Sequence, residues 1–149
     1  APSYGIWADK FGLASNPETF NATVNGYATS LNHHFMSDYS GFFIRHIAGL
    51  QINPYKDNPA YVRVNPSFIP SLDNASAFYE TVAGKVSVSW VRKGEEIELT
   101  VEKADGVTGD VTLPNGYIFT KRSDRPDYET MDRRISPLAS VVYTIRKKA

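Results

Sequence analysis

Three features of the 149-residue sequence carry side chains able to do chemistry. The first is Asn32-His33-His34. A neutral imidazole can bind a metal, move a proton or hydrogen-bond a hydroxyl. Adjacent histidines point in different directions, unlike the i, i+4 pair that shares a metal on one helix face. The nearest further histidine is His46, so no metal site is expected. Two readings of His33 stay open: a histidine held by hydrogen bonds at a helix entrance, or a polar group facing a ligand. The second feature is a pair of carboxylates, Asp9 and Glu18. Surface carboxylates are mostly solvated, yet glycoside hydrolysis needs two carboxyl groups flanking the scissile bond, one acid and one base or nucleophile. The third is a pair of sequons, Asn21-Ala22-Thr23 and Asn74-Ala75-Ser76, which matter only in a glycosylating host.

The composition narrows what these residues can serve. Lys plus Arg and Asp plus Glu both number 16, so no basic footprint for nucleic acid is present and no polyanionic partner is expected. No apolar run approaches membrane-spanning length; the longest, near Phe42, is interrupted by Arg45 and His46. Without cysteine there are no disulfides, thiolates or Cys-bound zinc, and the compartment stays open. No leader is visible in the first ten residues. Apolar residues at 42% and charged residues at 21% suit a packed core. The aromatic share of 13% suits a β-rich core first and sugar stacking second.

The elements that must position these residues change along the chain. Residues 1 to 32 are loop-like, broken by Pro2, Gly5, Gly12, Pro17, Asn25 and Gly26. Loops of this length are usually functional or belong to a larger assembly. From Phe35 to about Ala48, Phe35, Met36, Tyr39, Phe42, Phe43, Ile44 and Ile47 crowd a helix on almost every side, the pattern of a helix buried against several neighbours. Gly49 is placed to end it. After Pro54 the chain reads as β. Strands are expected at Tyr61–Asn65 and Ala75–Val82. A hairpin follows in which Val86, Val88 and Trp90, then Ile97, Leu99 and Val101, alternate with polar residues around Arg92-Lys93-Gly94-Glu95. Further strands are expected at Val111–Leu113, Tyr117–Thr120 and Ala139–Ile145, with a turn at Pro114-Asn115-Gly116 and an exposed loop over Lys121–Arg134. The strand faces carrying Glu96, Glu98 and Glu102 read as solvated surface. The fold class is mostly β: an antiparallel β-sandwich preceded by a loop and one buried helix.

The order of residues adds a resemblance. Thr29-Ser30-Leu31-Asn32-His33-His34-Phe35-Met36-Ser37-Asp38, continuing to Ile47-Ala48-Gly49-Leu50, resembles the end of the catalytic domain in family 78 glycoside hydrolases, the α-L-rhamnosidases. There, a Ser-Leu-Asn-His segment leads into a late helix of an (α/α)6 barrel, and a C-terminal β-sandwich follows. Tyr61 to Pro66, Tyr79-Glu80-Thr81, Gly84 and Ser89-Trp90 are similar to that sandwich. Pro2-Ser3-Tyr4-Gly5 matches the family's opening, and Gly12 to Glu18 stands where its general-base segment belongs, with Gly12 and Glu18 matching and Pro17 replacing a tryptophan.

The resemblance implies residues 1–52 as the end of the barrel and residues 53–149 as the sandwich. It implies an inverting hydrolase that removes terminal α-L-rhamnose from a rhamnose-containing glycoside. Glu18 would be the base, His33, Trp7 and Tyr4 would face the sugar, and the acid would lie in the remainder of the barrel, outside this chain. No cofactor is expected, and the chain by itself is expected to be inactive. The rival readings are a carbohydrate-binding sandwich and a purely structural one.

Overall fold

A computed structural model describes residues 23–24, 27–28, 39–52, 57–125, 127–130 and 132–148. The chain divides into two units, Ala1–Gly41 and Phe42–Ala149. In the first unit, strands β1 (Thr23–Val24) and β2 (Tyr27–Ala28) pair antiparallel, Thr23 with Ala28 and Val24 with Tyr27. The stretch read as loop-like therefore holds a pair of short antiparallel strands.

The expected helix is present as a short α-helix, α1 (Tyr39–Phe42), running into a π-helical segment, Phe43–Ala48. Residues 35–38 lie outside the described residues. Gly49 ends the segment in the left-handed region (φ 87°), and its N–H donates to the Ile44 carbonyl at 3.1 Å. A Cβ there would also stand 2.2 Å from the Pro66 nitrogen, so only glycine fits on both counts. The sandwich buries only the end of this segment. Ile47 and Ala48 join the core, and the Trp90 indole Nε1 donates to the Ile47 carbonyl at 3.0 Å. Phe42 and Phe43 stand about half exposed, at 52% and 54%.

The rest of the second unit is a sandwich of two sheets. One has the order β10 (Arg134–Ile135), β8 (Thr108–Thr112), β4 (Tyr61–Val64), β3 (Leu50–Ile52). The other has the order β5 (Asn74–Thr81), β6 (Gly84–Lys93), β7 (Glu96–Lys103), β11 (Val141–Lys147), β9 (Tyr117–Arg122). Period-2 alternation puts Val86, Val88, Trp90, Ile97, Leu99, Val101, Tyr143 and Ile145 from the second sheet into one core with Leu50, Val62, Val64 and Val111 from the first. Phe68 packs edge-on against Trp90 and Tyr117, with centroids 5.5 and 5.0 Å away.

The sandwich is antiparallel with one exception, β4 beside β8, which is parallel. Strands β5, β6 and β7 intervene in the other sheet, so the chain returns to the first sheet in its original direction. Val62 and Gly109 are opposite each other in that pair, and a Cβ on Gly109 would meet the Val62 carbonyl oxygen at 1.8 Å.

Three stretches differ from the sequence reading. Leu50–Ile52 is a strand, although nothing in three residues after a helix stop announces one. β8 starts at Thr108, ahead of the apolar Val111, because Gly109 and Asp110 mask its pattern. The charged stretch Lys121–Arg134 is more than a loop: β9 extends to Arg122, Thr130 bridges to Phe119, and β10 pairs with β8.

Candidate functional site

Tyr4, Trp7, Glu18 and His33, with Asp9 as the alternative carboxylate, all lie outside the described residues. Among the described residues, no group of His, Cys, Asp and Glu side chains could hold a metal ion. His46 is described; it is exposed, and its ring stands 5.0 Å from that of Phe42. Two polar arrangements remain, one on the outer face of each sheet.

On the four-stranded sheet, Val62, Val64 and Val111 point inward, so Tyr61, Arg63, Asp110 and Thr112 point outward. The parallel register sets Arg63 beside Asp110, and β10 adds Arg134 opposite Thr112. Asp110 is fully buried. Its carboxylate accepts from Arg63 (Nε 3.0 Å, Nη2 3.3 Å), Arg134 (Nη2 3.0 Å), the Thr112 hydroxyl (3.1 Å) and the Tyr61 hydroxyl. Burial on its own would push this carboxyl up, but the Arg63 and Tyr61 hydrogen bonds, the Arg63 charge and the Thr112 hydrogen bond together hold it below the usual aspartate value. The Arg63 guanidinium is raised in turn by its hydrogen bond and charge attraction to Asp110. A carboxylate this acidic, with its lone pairs already taken, is a poor proton acceptor at neutral pH. The cluster ties β4, β8 and β10 together instead.

On the five-stranded sheet, Val86, Val88, Trp90, Leu99 and Val101 point inward, which leaves Ser87, Ser89, Thr100 and Glu102 outward. Register aligns Ser76, Ser89 and Thr100 in one row across β5, β6 and β7, and Phe78, Ser87 and Glu102 in the next. These rows floor an open cleft of about 620 Å³, with Ile44 of the π-helical segment and Lys85 at its sides. The Ser87 hydroxyl donates to Glu102 at 3.3 Å. The Lys85 ammonium lies 4.7 Å from the Phe78 ring centroid, and Phe78 is still 62% exposed. Glu102 is the one carboxylate among the cleft's lining residues. Glycoside hydrolysis needs a pair of carboxyl groups, and the described lining of this cleft does not supply one. The sequence reading took the face carrying Glu96, Glu98 and Glu102 for solvated surface, and Glu96 and Glu102 are exposed; Phe78, a large apolar residue in register with Ser87, is exposed on the same face.

Between the sheets, Tyr143 is fully buried and its hydroxyl has no hydrogen-bond partner among the described residues. Burial pushes the phenol up to about 12, against the pull of the Arg122 charge. The Arg122 guanidinium stacks 5.7 Å from the Tyr143 ring centroid and 5.9 Å from that of Tyr128.

Residues 49–122 match the family model described as the bacterial alpha-L-rhamnosidase C-terminal domain. Among solved structures, an alpha-L-rhamnosidase from Dictyoglumus thermophilum is similar, at 18% identity and a TM-score of 0.74, over 95% of this chain and 17% of that one. Streptomyces avermitilis alpha-L-rhamnosidase, complexed with L-rhamnose, is similar at 19% identity and a TM-score of 0.64, over 98% of this chain and 14% of that one. An Aspergillus terreus alpha-L-rhamnosidase follows at 18% identity and a TM-score of 0.67, over 93% and 15%. At such identities the likeness shows a shared fold, and the chain spans less than a fifth of the length of each of the three. No curated protein sequence matches the chain.

Proposed function

We propose that the chain, whose residues 49–122 match the bacterial alpha-L-rhamnosidase C-terminal domain, is the C-terminal part of a glycoside hydrolase that removes terminal α-L-rhamnose by an inverting acid/base mechanism. The observation that carries this reading is the family match over residues 49–122. The fold likeness to rhamnosidases over more than nine-tenths of the chain supports it. So do Phe42 and Phe43: a helix this apolar, half exposed here, suits one that packs against further helices in a longer protein. In this reading the stretch ahead of the sandwich closes a helical barrel and the sandwich braces it. The saturated Asp110 cluster fits a bracing role, since it locks strands together and leaves nothing for catalysis.

The chemistry divides between this chain and the rest of the barrel. Glu18, as general base, takes a proton from a water on the face of the sugar opposite the leaving group. A general acid on an earlier part of the barrel protonates the glycosidic oxygen, and the two carboxyl groups stand far enough apart to admit the water. His33 hydrogen-bonds a sugar hydroxyl, and Trp7 and Tyr4 line the sugar pocket. The chain by itself does not turn over, because acid catalysis alone usually contributes about a hundredfold or more.

Steady-state kinetics of the full-length enzyme on an aryl α-L-rhamnoside test the assignment. Glu18→Gln lowers kcat far more than it raises KM, as a group acting in the transition state must. His33→Ala raises KM. Near-normal kcat in Glu18→Gln with loss of activity in Asp9→Asn moves the base to Asp9.

A further inference from the structure

We propose that the cleft on the outer face of the five-stranded sheet, whose lining residues all come from Ile44 onward in the sequence, binds a neutral sugar ring. Its floor is made of side chains on β5, β6 and β7; β6 and β7 have backbones paired on both sides, while β5 is the edge of the sheet, so the floor lies on the sheet's face and beside its edge. A peptide would seek a strand edge and main-chain hydrogen bonds, whereas a ligand on this floor is held by side chains.

Those side chains suit a polyol. The hydroxyls of Ser76, Ser89 and Thr100 lie in one row, roughly 5 Å apart from strand to strand, and make no hydrogen bond to any described residue. Each both donates and accepts, which is what a sugar hydroxyl requires of a partner. Beside them Glu102 adds a carboxylate held by Ser87, with acceptor sites left over. Phe78, 62% exposed, and Ile44, 37% exposed, offer apolar surface to the C–H face of a pyranose. The lining holds one ammonium, Lys85, and one carboxylate, Glu102, whose charges cancel. That balance gives no field to draw in a phosphate, a uronate or a cation, and it selects a neutral ligand. An ordinary solvated sheet face has the same alternation of polar residues but neither the exposed ring nor the apolar wall.

The test is an NMR titration of the isotope-labelled 149-residue chain with methyl α-L-rhamnoside, methyl α-D-glucoside and a neutral oligosaccharide, with a methyl glucuronide for comparison. The neutral sugars shift the amides of Phe78, Ser87, Ser89, Thr100 and Glu102 saturably, with dissociation constants on the order of millimolar, and the glucuronide does so more weakly. Phe78→Ala and Glu102→Gln each weaken binding by about tenfold while the melting temperature stays within the spread of surface substitutions. The proposal is overturned by the absence of saturable shifts with every neutral sugar, by shifts that map elsewhere, by binding that survives both substitutions, or by an equal response to the glucuronide. Binding is read here without turnover, so failure of this site leaves the rhamnosidase reading standing, and loss of that reading leaves the cleft to be judged on its own.

Discussion

On the outer face of the four-stranded sheet, Asp110 draws Tyr61, Arg63, Thr112 and Arg134 into one closed cluster. On the outer face of the five-stranded sheet, Ser76, Ser89 and Thr100 keep their hydroxyls for whatever arrives from outside. Both faces obey the same period-2 rule, apolar in and polar out. They part because of register. In the first sheet a carboxylate and a guanidinium sit side by side on adjacent strands, Asp110 beside Arg63, and a second arginine stands one strand further. In the second, the Ser76, Ser89 and Thr100 hydroxyls face each other across strands with no charge in their row, and in the next row the Glu102 carboxylate meets only the Ser87 hydroxyl. A polar sheet face is thus structural or receptive according to what its register places side by side.

The largest effect should come from opening the closed face. Asp110→Ala should cost about 2–3 kcal/mol in urea unfolding, the value of charge-assisted hydrogen bonds lost from a buried acceptor. The loss stays at that level because Arg63 and Arg134, 40% and 58% exposed, can turn to water. A cost within the ~0.5 kcal/mol of an ordinary surface change would erase the distinction between the faces.

A second expectation sharpens the electrostatic side. The Asp110 carboxyl is lowered in the folded state, so its contribution is complete above the unfolded value near ~4 and disappears as pH falls through the lower folded value. Asp110→Asn should therefore flatten the acid limb of the melting-temperature profile below about pH 4. Parallel acid limbs for both proteins would place the acid sensitivity in other carboxylates.

Tyr143, in the core between the faces, should respond at the opposite end of the pH scale. Its folded pKa is raised to about 12, so its share of stability is whole below the unfolded value near ~10 and is lost as pH rises through about 12. Tyr143→Phe should change stability at neutral pH by less than about 1 kcal/mol, since its hydroxyl leaves no described partner behind. The same substitution should flatten the alkaline limb, and an unaltered alkaline limb would remove Tyr143 as its cause.

The smallest effect belongs to the open face. Ser89→Ala should stay within ~0.5 kcal/mol of the parent, and a cost above about 1 kcal/mol would mean that this row, too, is structural.

Much of the sandwich was legible because its strands advertise themselves. Val86-Ser87-Val88-Ser89-Trp90 and Ile97-Glu98-Leu99-Thr100-Val101 alternate cleanly, and both strands lie where the alternation put them. Gly49 ended the helical segment as its position implied. What escaped did so for local reasons. Leu50–Ile52 is too short to show a period. The π-helical turns of Phe43–Ala48 leave no mark that separates them from an α-helix in a uniformly apolar run. Asp110 hid β8 because a buried charge in a strand makes sense only once Arg63 and Arg134 are seen beside it, and their sequence separations of 47 and 24 residues conceal that. Glu18 as base and His33, Trp7 and Tyr4 as sugar-facing residues took those roles from resemblance to a family motif, and all four lie outside the described residues.

In the proposed function the sandwich belongs to an α-L-rhamnosidase whose chemistry needs more than this chain. Release of the aglycone from an aryl α-L-rhamnoside, compared between the purified full-length gene product and the 149-residue chain, decides it. Steady turnover with inversion of configuration is expected from the first and none from the second. A full-length product that cleaves no α-L-rhamnoside, or a 149-residue chain that turns over once contaminating full-length enzyme is excluded, would contradict it.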